Sequence, residues 1–527
     1  MTSVHSAVDQ AGPSVAEPRG RRTPLIVVSV VLLAVFLIGA WSAWFFTIDD
    51  AFISFRYSAN LAAGNGPVWN LTGQRVEGFT NFAWVVWGAA GSALGVALPI
   101  FMKLTSLLLG LATLAMLLRE GHRRAGLLGA VVAAGAYVVF LPTYFHLTSG
   151  LETAAFAAVL VRVVVVGLRV LAREPVRAWE PPVLLLVLGM VRPEGVLAAL
   201  PVVAVWFWQE RKQVAARWWT VGAVVAGAVY FGWRWNFYGQ LLPNTFYVKF
   251  GHLDAGTVWT EHIVLLLLPL FLLTLSLLIR RSTRASGLLV GGTVLATYFT
   301  YAVSGPTMDY LDRFADHAFP VLCLGAGLAA GQLANRWVGA LLGVVAVGWT
   351  AVAGVNEPDL GTIVNYGPDL QRAHVAIGKG LARAQVPPGA QTLAIGDAGA
   401  MPYYSGWEAI DYIGLNDRAI ARGADPTAVV ATARPTVVVL TSSGPEPAAS
   451  RYGVRSAEVT AGYEQVAAVQ MRDGYWENVF ALPQYAATVQ QNLRTELDIA
   501  KKQNDPGRYE DTVDRWLDRL RSQLPGF

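Results

Sequence analysis

The sequence predicts a polytopic α-helical membrane protein whose chain ends in a soluble α/β domain. Three observations predict it. The composition is 54% apolar and only 14% charged over 527 residues. Predominantly apolar runs such as Pro24 to Phe46 and Val258 to Ile279 reach the roughly 20 residues that a helix needs to cross a bilayer. From about residue 355 the composition shifts, with strand-like runs Thr392 to Ile395 and Thr436 to Leu440 set among loops rich in Gly and Pro.

Residues 1–23 are polar, contain Pro and end in Arg19, Arg21 and Arg22, and are expected to form a disordered cytoplasmic tail. The apolar segment that follows is too long for a signal-peptide core and has no small-residue cleavage site, so it is expected to stay as the first span. The net charge of +4 and pI near 9.1 do not point to nucleic acid. The Lys and Arg residues cluster in short links between apolar segments, as cytoplasmic loops do, and form no basic stripe with interleaved aromatics. Cys323, the single cysteine, excludes a disulfide framework.

With the tail inside, the span at about 24 to 46 delivers Asp49-Asp50 to the outside. Segment 80–97 is expected to lie in the outer interface, because making it a span would put Arg119, Arg123 and Arg124 outside. Further spans are expected at about 99–118, 125–142, 151–170, 181–191, 195–209, 217–236, 258–279, 286–304, 317–334 and 337–354. This makes about eleven, and an odd number places the C-terminus outside. Residues 24–354 are thus a transmembrane domain, with 47–98 its first outer loop, and 355–527 an extracytoplasmic domain. That domain closes with helical segments at 486–503 and 508–523, divided by the stop Pro506-Gly507.

This threading collects the unusual polar residues on one face: Asp49, Asp50, Arg56, Glu77, Thr80, Asn81, Glu152, Arg192, Glu194, Asn244, Tyr247, Lys249, Arg313 and His317. Charges at span ends are expensive and are candidates for function. Asp49-Asp50 opens a short helix in which Ile53, Tyr57 and Leu61 follow at helical spacing, ended by Gly64 and Gly66. Thr47 with Asp50 resembles a capping box, which accounts for one carboxylate more readily than for two. As a catalytic pair they would orient an attacking hydroxyl and take its proton. Arg192 is a candidate phosphate ligand, since a guanidinium fork matches phosphate oxygens, and Lys249 is a second candidate for the lipid phosphate. Arg56, Arg313 and His317 join that set, against the simpler readings of a turn ion pair, a snorkelling lysine or local pairing with Asp312 or Asp316. No Walker A loop, Rossmann fingerprint, HExxH or GxSxG occurs, and no Asp-x-Asp metal-nucleotide grip. No His pair has metal-site spacing, so no cofactor is expected to be required, although a divalent cation is possible.

These residues fall into a series of motifs: Asp49-Asp50, Val76-Glu77-Gly78-Phe79-Thr80-Asn81, Ser149-Gly150-Leu151-Glu152-Thr153, Arg192-Pro193-Glu194-Gly195, Leu242-Pro243-Asn244-Thr245-Phe246-Tyr247 and Gly396-Asp397-Ala398-Gly399-Ala400. The series resembles the GT-C superfamily of polyprenyl-phosphate-sugar glycosyltransferases, most closely its actinobacterial arabinofuranosyltransferases, over nearly the whole chain. The resemblance implies a GT-C fold in the plasma membrane with its active site on the periplasmic side. It further implies an inverting transfer of β-D-arabinofuranose from decaprenyl-phospho-arabinose to the 2-hydroxyl of terminal arabinan in arabinogalactan or lipoarabinomannan. Asp49 or Asp50 would then be the base. Glu77, Thr80, Asn81, Glu152, Glu194, Asn244, Tyr247 and Asp397 would contact substrate, and the C-terminal domain would help hold the glycan. Transfer of another sugar such as mannose to protein, lipid or another polymer stays open, as does a flippase for lipid-linked sugars.

Overall fold

The computed structural model describes residues 23–249, 253–446 and 450–503. The expected tail before Thr23, the Pro506-Gly507 stop and the helix at 508–523 lie outside the described residues.

Apolar helices follow one another at nearly every expected position. Six described helices are long and apolar enough to cross a membrane: Thr23–Ser42, Leu98–Val139, Thr153–Leu171, Val214–Tyr238, Arg281–Ser304 and Arg336–Val355. Two bent pairs, Leu253–Leu266 with Leu268–Ser276 and Tyr310–Asp316 with Phe319–Gln332, bring the count to eight. The chain is a multi-pass membrane protein.

The difference from the eleven expected spans lies in two short helices and in one element that holds two of the expected spans. Glu180–Val191 and Gly195–Glu210 are short helices of 12 and 16 residues, about 18 and 24 Å long at 1.5 Å per residue, paired through the turn at Arg192. Segments 99–118 and 125–142 are arms of the 42-residue element Leu98–Val139, broken at Gly126. There φ is +68° and ψ −168°, a conformation that only glycine adopts without cost. The segment expected in the outer interface is the helix Phe82–Ala93, too short to span.

The basic links meet at one end of the bundle. Arg123 and Arg124 bond Glu174, Gln332 donates to the Arg124 carbonyl, and Arg280 donates to the Gln332 carbonyl. The motif-bearing loops gather elsewhere, against the C-terminal domain.

That domain is built on a five-stranded sheet of order β2-β1-β3-β5-β4, with β1 Thr392–Ile395, β2 Glu408–Asp411, β3 Val437–Ser442, β4 Glu464–Arg472 and β5 Tyr475–Ala481. β1 runs parallel to β2 and β3, whereas β5 is antiparallel to β3 and β4. The sheet buries Leu393, Ile395, Val437 and Val479 beneath helices Ala376–Arg383 and Pro483–Gln503.

The domain clamps the first loop. The buried Arg56 donates from Nε to the Trp69 carbonyl and from its terminal nitrogens to the carbonyls of Pro402 and Trp407 and to Asn70 Oδ1. Asn244 Nδ2 donates to the carbonyls of Gly414, Leu415 and Asp417, and Tyr57 Oη to Asn416.

Candidate active site

The helix Asp49–Ala62 begins with two carboxylates that the structure separates. Successive residues on a helix point roughly 100° apart, so one faces the C-terminal domain and the other a cavity. The expected capping box does not form: the N-cap is Ile48, and no side chain caps the helix.

Asp49 is buried and fully engaged. Its Oδ1 accepts from the Ala400 amide at 2.9 Å and meets His374 Nδ1 at 2.9 Å, and its Oδ2 accepts from the Gly399 amide at 3.0 Å. His374 in turn meets Glu477 Oε1 through Nε2 at 3.1 Å. Burial opposes charge on this imidazole, but Asp49 and Glu477 outweigh it and hold its pKa well above the ordinary value. Asp397 sits beyond, bonded by Tyr475, Tyr452 and Thr441. His374, Asp397 and Glu477 are close enough to share a metal ion, yet their ring nitrogens and carboxylate oxygens already bond one another, Asp49, or nearby hydroxyls. This group fits a clamp better than a metal centre.

Among the described residues Asp50 has neither a hydrogen bond nor a salt bridge, and it lines a cavity of about 440 Å³. The cavity forms where the first loop, the turn at Arg192, the segment from Leu242 and the loop from Gly305 converge, with Leu415 on its wall. Thr80, Asn81, Glu152, Arg192, Glu194, Lys249 and Arg313 line it as well.

The three cations differ in their freedom. Arg192 bonds Glu152 Oε1 from Nη1 at 2.5 Å and Glu194 from Nε, so two carboxylates already match its charge. Tyr301 Oη donates to Glu194, and Asn81 Nδ2 donates to Glu152. Burial works against the Glu152 charge, but Arg192 and Arg313 hold its pKa below the ordinary value. Arg313 and Lys249 form no salt bridge among the described residues. Arg313 is 6% exposed, packs over the Tyr310 and Phe314 rings, and its Nε lacks a hydrogen-bond partner. The half-buried Lys249 has its pKa lowered by burial and then by Arg313 and Arg192, against the pull of Asp50. A cation held out of water without a salt bridge is costly; one buried and one half-buried beside the same cavity make a site for an anion.

An apolar groove of about 370 Å³ adjoins this cavity, sharing Thr80, Pro193, Leu242 and Pro243 with it. Leu185, Leu186, Val224 and Phe231 from the short paired helices and Val214–Tyr238 line the groove.

The remaining expected site residues are engaged elsewhere. Arg56 and Asn244 anchor the C-terminal domain. Glu77 pairs with Arg234 at 2.7 Å at the edge of the groove. Tyr247 lies under the Arg422 guanidinium at 3.6 Å. His317 meets Tyr301 Oη behind the cavity wall, and Asp397 belongs to the buried clamp. Three contributors gave no sequence signal: His374 stands in no motif, 325 residues from Asp49, and Arg234 and Tyr301 lie inside apolar helices.

Comparisons with known proteins agree on the architecture. A family model described as a domain of unknown function (DUF8728) matches residues 365–489. The chain is similar to the terminal beta-(1->2)-arabinofuranosyltransferase of Mycobacterium tuberculosis, 31% identical over 261 residues, which are 44% of this chain and 39% of that protein. It thus matches about two fifths of that relative's length. The solved structure of ArnT from Cupriavidus metallidurans bound to undecaprenyl phosphate superposes with a TM-score of 0.57 at 14% identity, covering 87% of this chain and 98% of that one. The arabinofuranosyltransferase AftD from Mycobacteria gives 0.51 at 16% identity, over 88% of this chain and 40% of that one. The fold is that of the GT-C membrane proteins, as the motif series implied.

Proposed function

From the GT-C fold and the contrast between the two aspartates, we propose that this chain is a membrane glycosyltransferase that takes its sugar from a polyprenyl-phosphate carrier and uses Asp50 as base. The observation that carries the reading is one unpaired carboxylate in the same cavity as two unpaired cations, Lys249 and Arg313, beside an apolar groove. The groove suits a prenyl chain, the cations its phosphate, and Asp50 an incoming hydroxyl.

In the reaction the bond from the anomeric carbon to the phosphate oxygen breaks, and its electron pair leaves on the phosphate. Lys249 and Arg313 stabilise that developing charge where water is excluded. The acceptor oxygen bonds to the anomeric carbon and gives its proton to Asp50. A carboxylate is a weak base, but in an oxocarbenium-like transition state the hydroxyl loses its proton late. Arg192, already neutralised, orders Glu152 and Glu194 on the cavity wall. Asp49 sets the direction of Asp50 through the clamp. The mechanism requires no cofactor.

The motif series and the name of the mycobacterial relative support a finer reading: arabinofuranose as the sugar, decaprenyl phosphate as the carrier, and the 2-hydroxyl of terminal cell-wall arabinan as the acceptor. The gathering of basic links at one end of the bundle supports a plasma-membrane topology with the N-terminus cytoplasmic and the cavity and C-terminal domain outside. The test is transfer by purified protein from several polyprenyl-phosphate sugars to an arabinan oligosaccharide. A new β-(1→2) arabinofuranosyl linkage is expected, and its configuration against that of the donor reports whether the displacement inverts. Turnover only with another sugar, such as a mannosyl donor, would overturn the arabinose reading, and none with any donor would overturn the transferase.

A further inference from the structure

A second cavity, of about 520 Å³, lies beside the helix Leu253–Leu266 and is walled by five carboxylates, those of Asp254, Asp309, Asp312, Glu357 and Asp359, together with His262. Among the described residues no Lys or Arg lines it. His262 Nε2 stands 3.1 Å from Asp312 Oδ2 and 4.0 Å from Glu357 Oε2, and one ligand atom from each of the three lies within 4.8 Å of the others.

Glu357 carries the argument. Its side chain is 4% exposed, yet among the described residues no N–H group bonds it: its charged neighbours are the carboxylates of Asp312, which is within hydrogen-bonding reach, and Asp359, together with His262. Two buried carboxylates facing a single imidazole leave negative charge without a counterion, which is unfavourable in a low-dielectric site. Either a proton or a cation resolves it, and the geometry favours the cation. Three ligands held about 2.1 Å from one tetrahedral ion stand roughly 3.4 Å apart, between the two distances observed. One imidazole nitrogen with two carboxylate oxygens is a zinc ligand set. His262 is half-exposed and the cavity is open, so an ion has a way in.

We propose that His262, Asp312 and Glu357 bind one zinc ion, which ties the helix Leu253–Leu266 and the segment at Glu357 to the loop that positions Arg313. Leu311 and Asp312 in that loop hold left-handed backbone angles, φ +47° and +55°, which favour glycine and persist where surrounding structure enforces them. Asp312 would be a ligand on one face while its neighbour Arg313 enters the cavity that holds Asp50 on the other. The ion is structural and stands whether or not the chain is a transferase. The three ligands come from positions 262, 312 and 357, so no local spacing in the sequence could announce them.

The test uses the full chain in detergent, stripped with a chelator and then equilibrated with zinc alone. One zinc per chain is expected, with a rise in the thermal midpoint. Glu357→Gln, which keeps the shape, and His262→Ala should each weaken binding about tenfold or more and abolish the rise. His374→Asn, which breaks the other His-carboxylate group, should leave zinc binding intact. No retained zinc in the unmodified chain, equal zinc in Glu357→Gln and His262→Ala, or loss only in His374→Asn would each overturn the proposal.

Discussion

His374→Asn tests whether the C-terminal domain holds the catalytic helix through charge. In the native chain the Asp49 carboxylate has three partners, the Gly399 and Ala400 amides and His374. The substitution removes the only cationic one and also takes the His374 contact from Glu477. Breaking a buried ion pair costs about 3–5 kcal/mol. Asp49 keeps its two amide donors and Glu477 keeps Thr441, so the loss should lie at the low end, about 3 kcal/mol. The pH dependence has a definite sign. The folded-state pKa of His374 is raised, so its contribution is complete below its unfolded value of about 6.5 and is lost as pH rises through the folded value. Denaturant unfolding of purified protein, followed by tryptophan fluorescence, should therefore show a wide gap between native and variant at about pH 6 that narrows at alkaline pH. An equal gap at both pH values, or none at either, would refute an ionic clamp.

Two further predictions concern the geometry around the cavity. In Gly399→Ala the new Cβ would stand 2.6 Å from the Asp49 carbonyl carbon, where ordinary contact begins at 3.4 Å; the backbones must part, at a cost of about 1–3 kcal/mol. Turnover should fall with little change in donor KM, and wild-type turnover would show that the clamp does not aim Asp50. Lys249→Ala and Arg313→Ala should each raise the donor KM about tenfold or more, the worth of one charge-assisted hydrogen bond, and leave the acceptor KM nearly unchanged. A rise in acceptor KM instead would remove them from the phosphate site.

The membrane part was legible because bilayer thickness dictates apolar length, and the positive-inside rule chose the interfacial reading of 80–97. The count of about eleven strained at Glu180–Val191, where hydropathy cannot tell a span from half of a short helical hairpin. The hairpin of β4 and β5 carried a signal in Asp473-Gly474, a strong two-residue turn, that went unread. The short β2 carried none. At the site, the motif series contains Asp50, Glu152 and Arg192, and the charges at span ends add Lys249 and Arg313, but neither signal says which member is free. Arg56, Glu77, Asn244 and Asp397 occur in or beside the same series and are engaged in holding the structure together. Asp49 and Asp50 are alike in sequence, and it is the amides of Gly399 and Ala400, with His374, that distinguish them. That contact joins positions some 350 residues apart, which no local pattern encodes.

The central claim is that Asp50 acts on the acceptor while Asp49 only orients it. The most direct measurement is sugar transfer from a polyprenyl-phosphate donor by Asp50→Asn, in protein shown to unfold at the wild-type midpoint. Loss of a general base predicts a fall of about 10²–10⁴-fold in turnover with donor binding retained, whereas Asp49→Asn should lower the unfolding midpoint along with activity. Near-native transfer by Asp50→Asn would contradict the account.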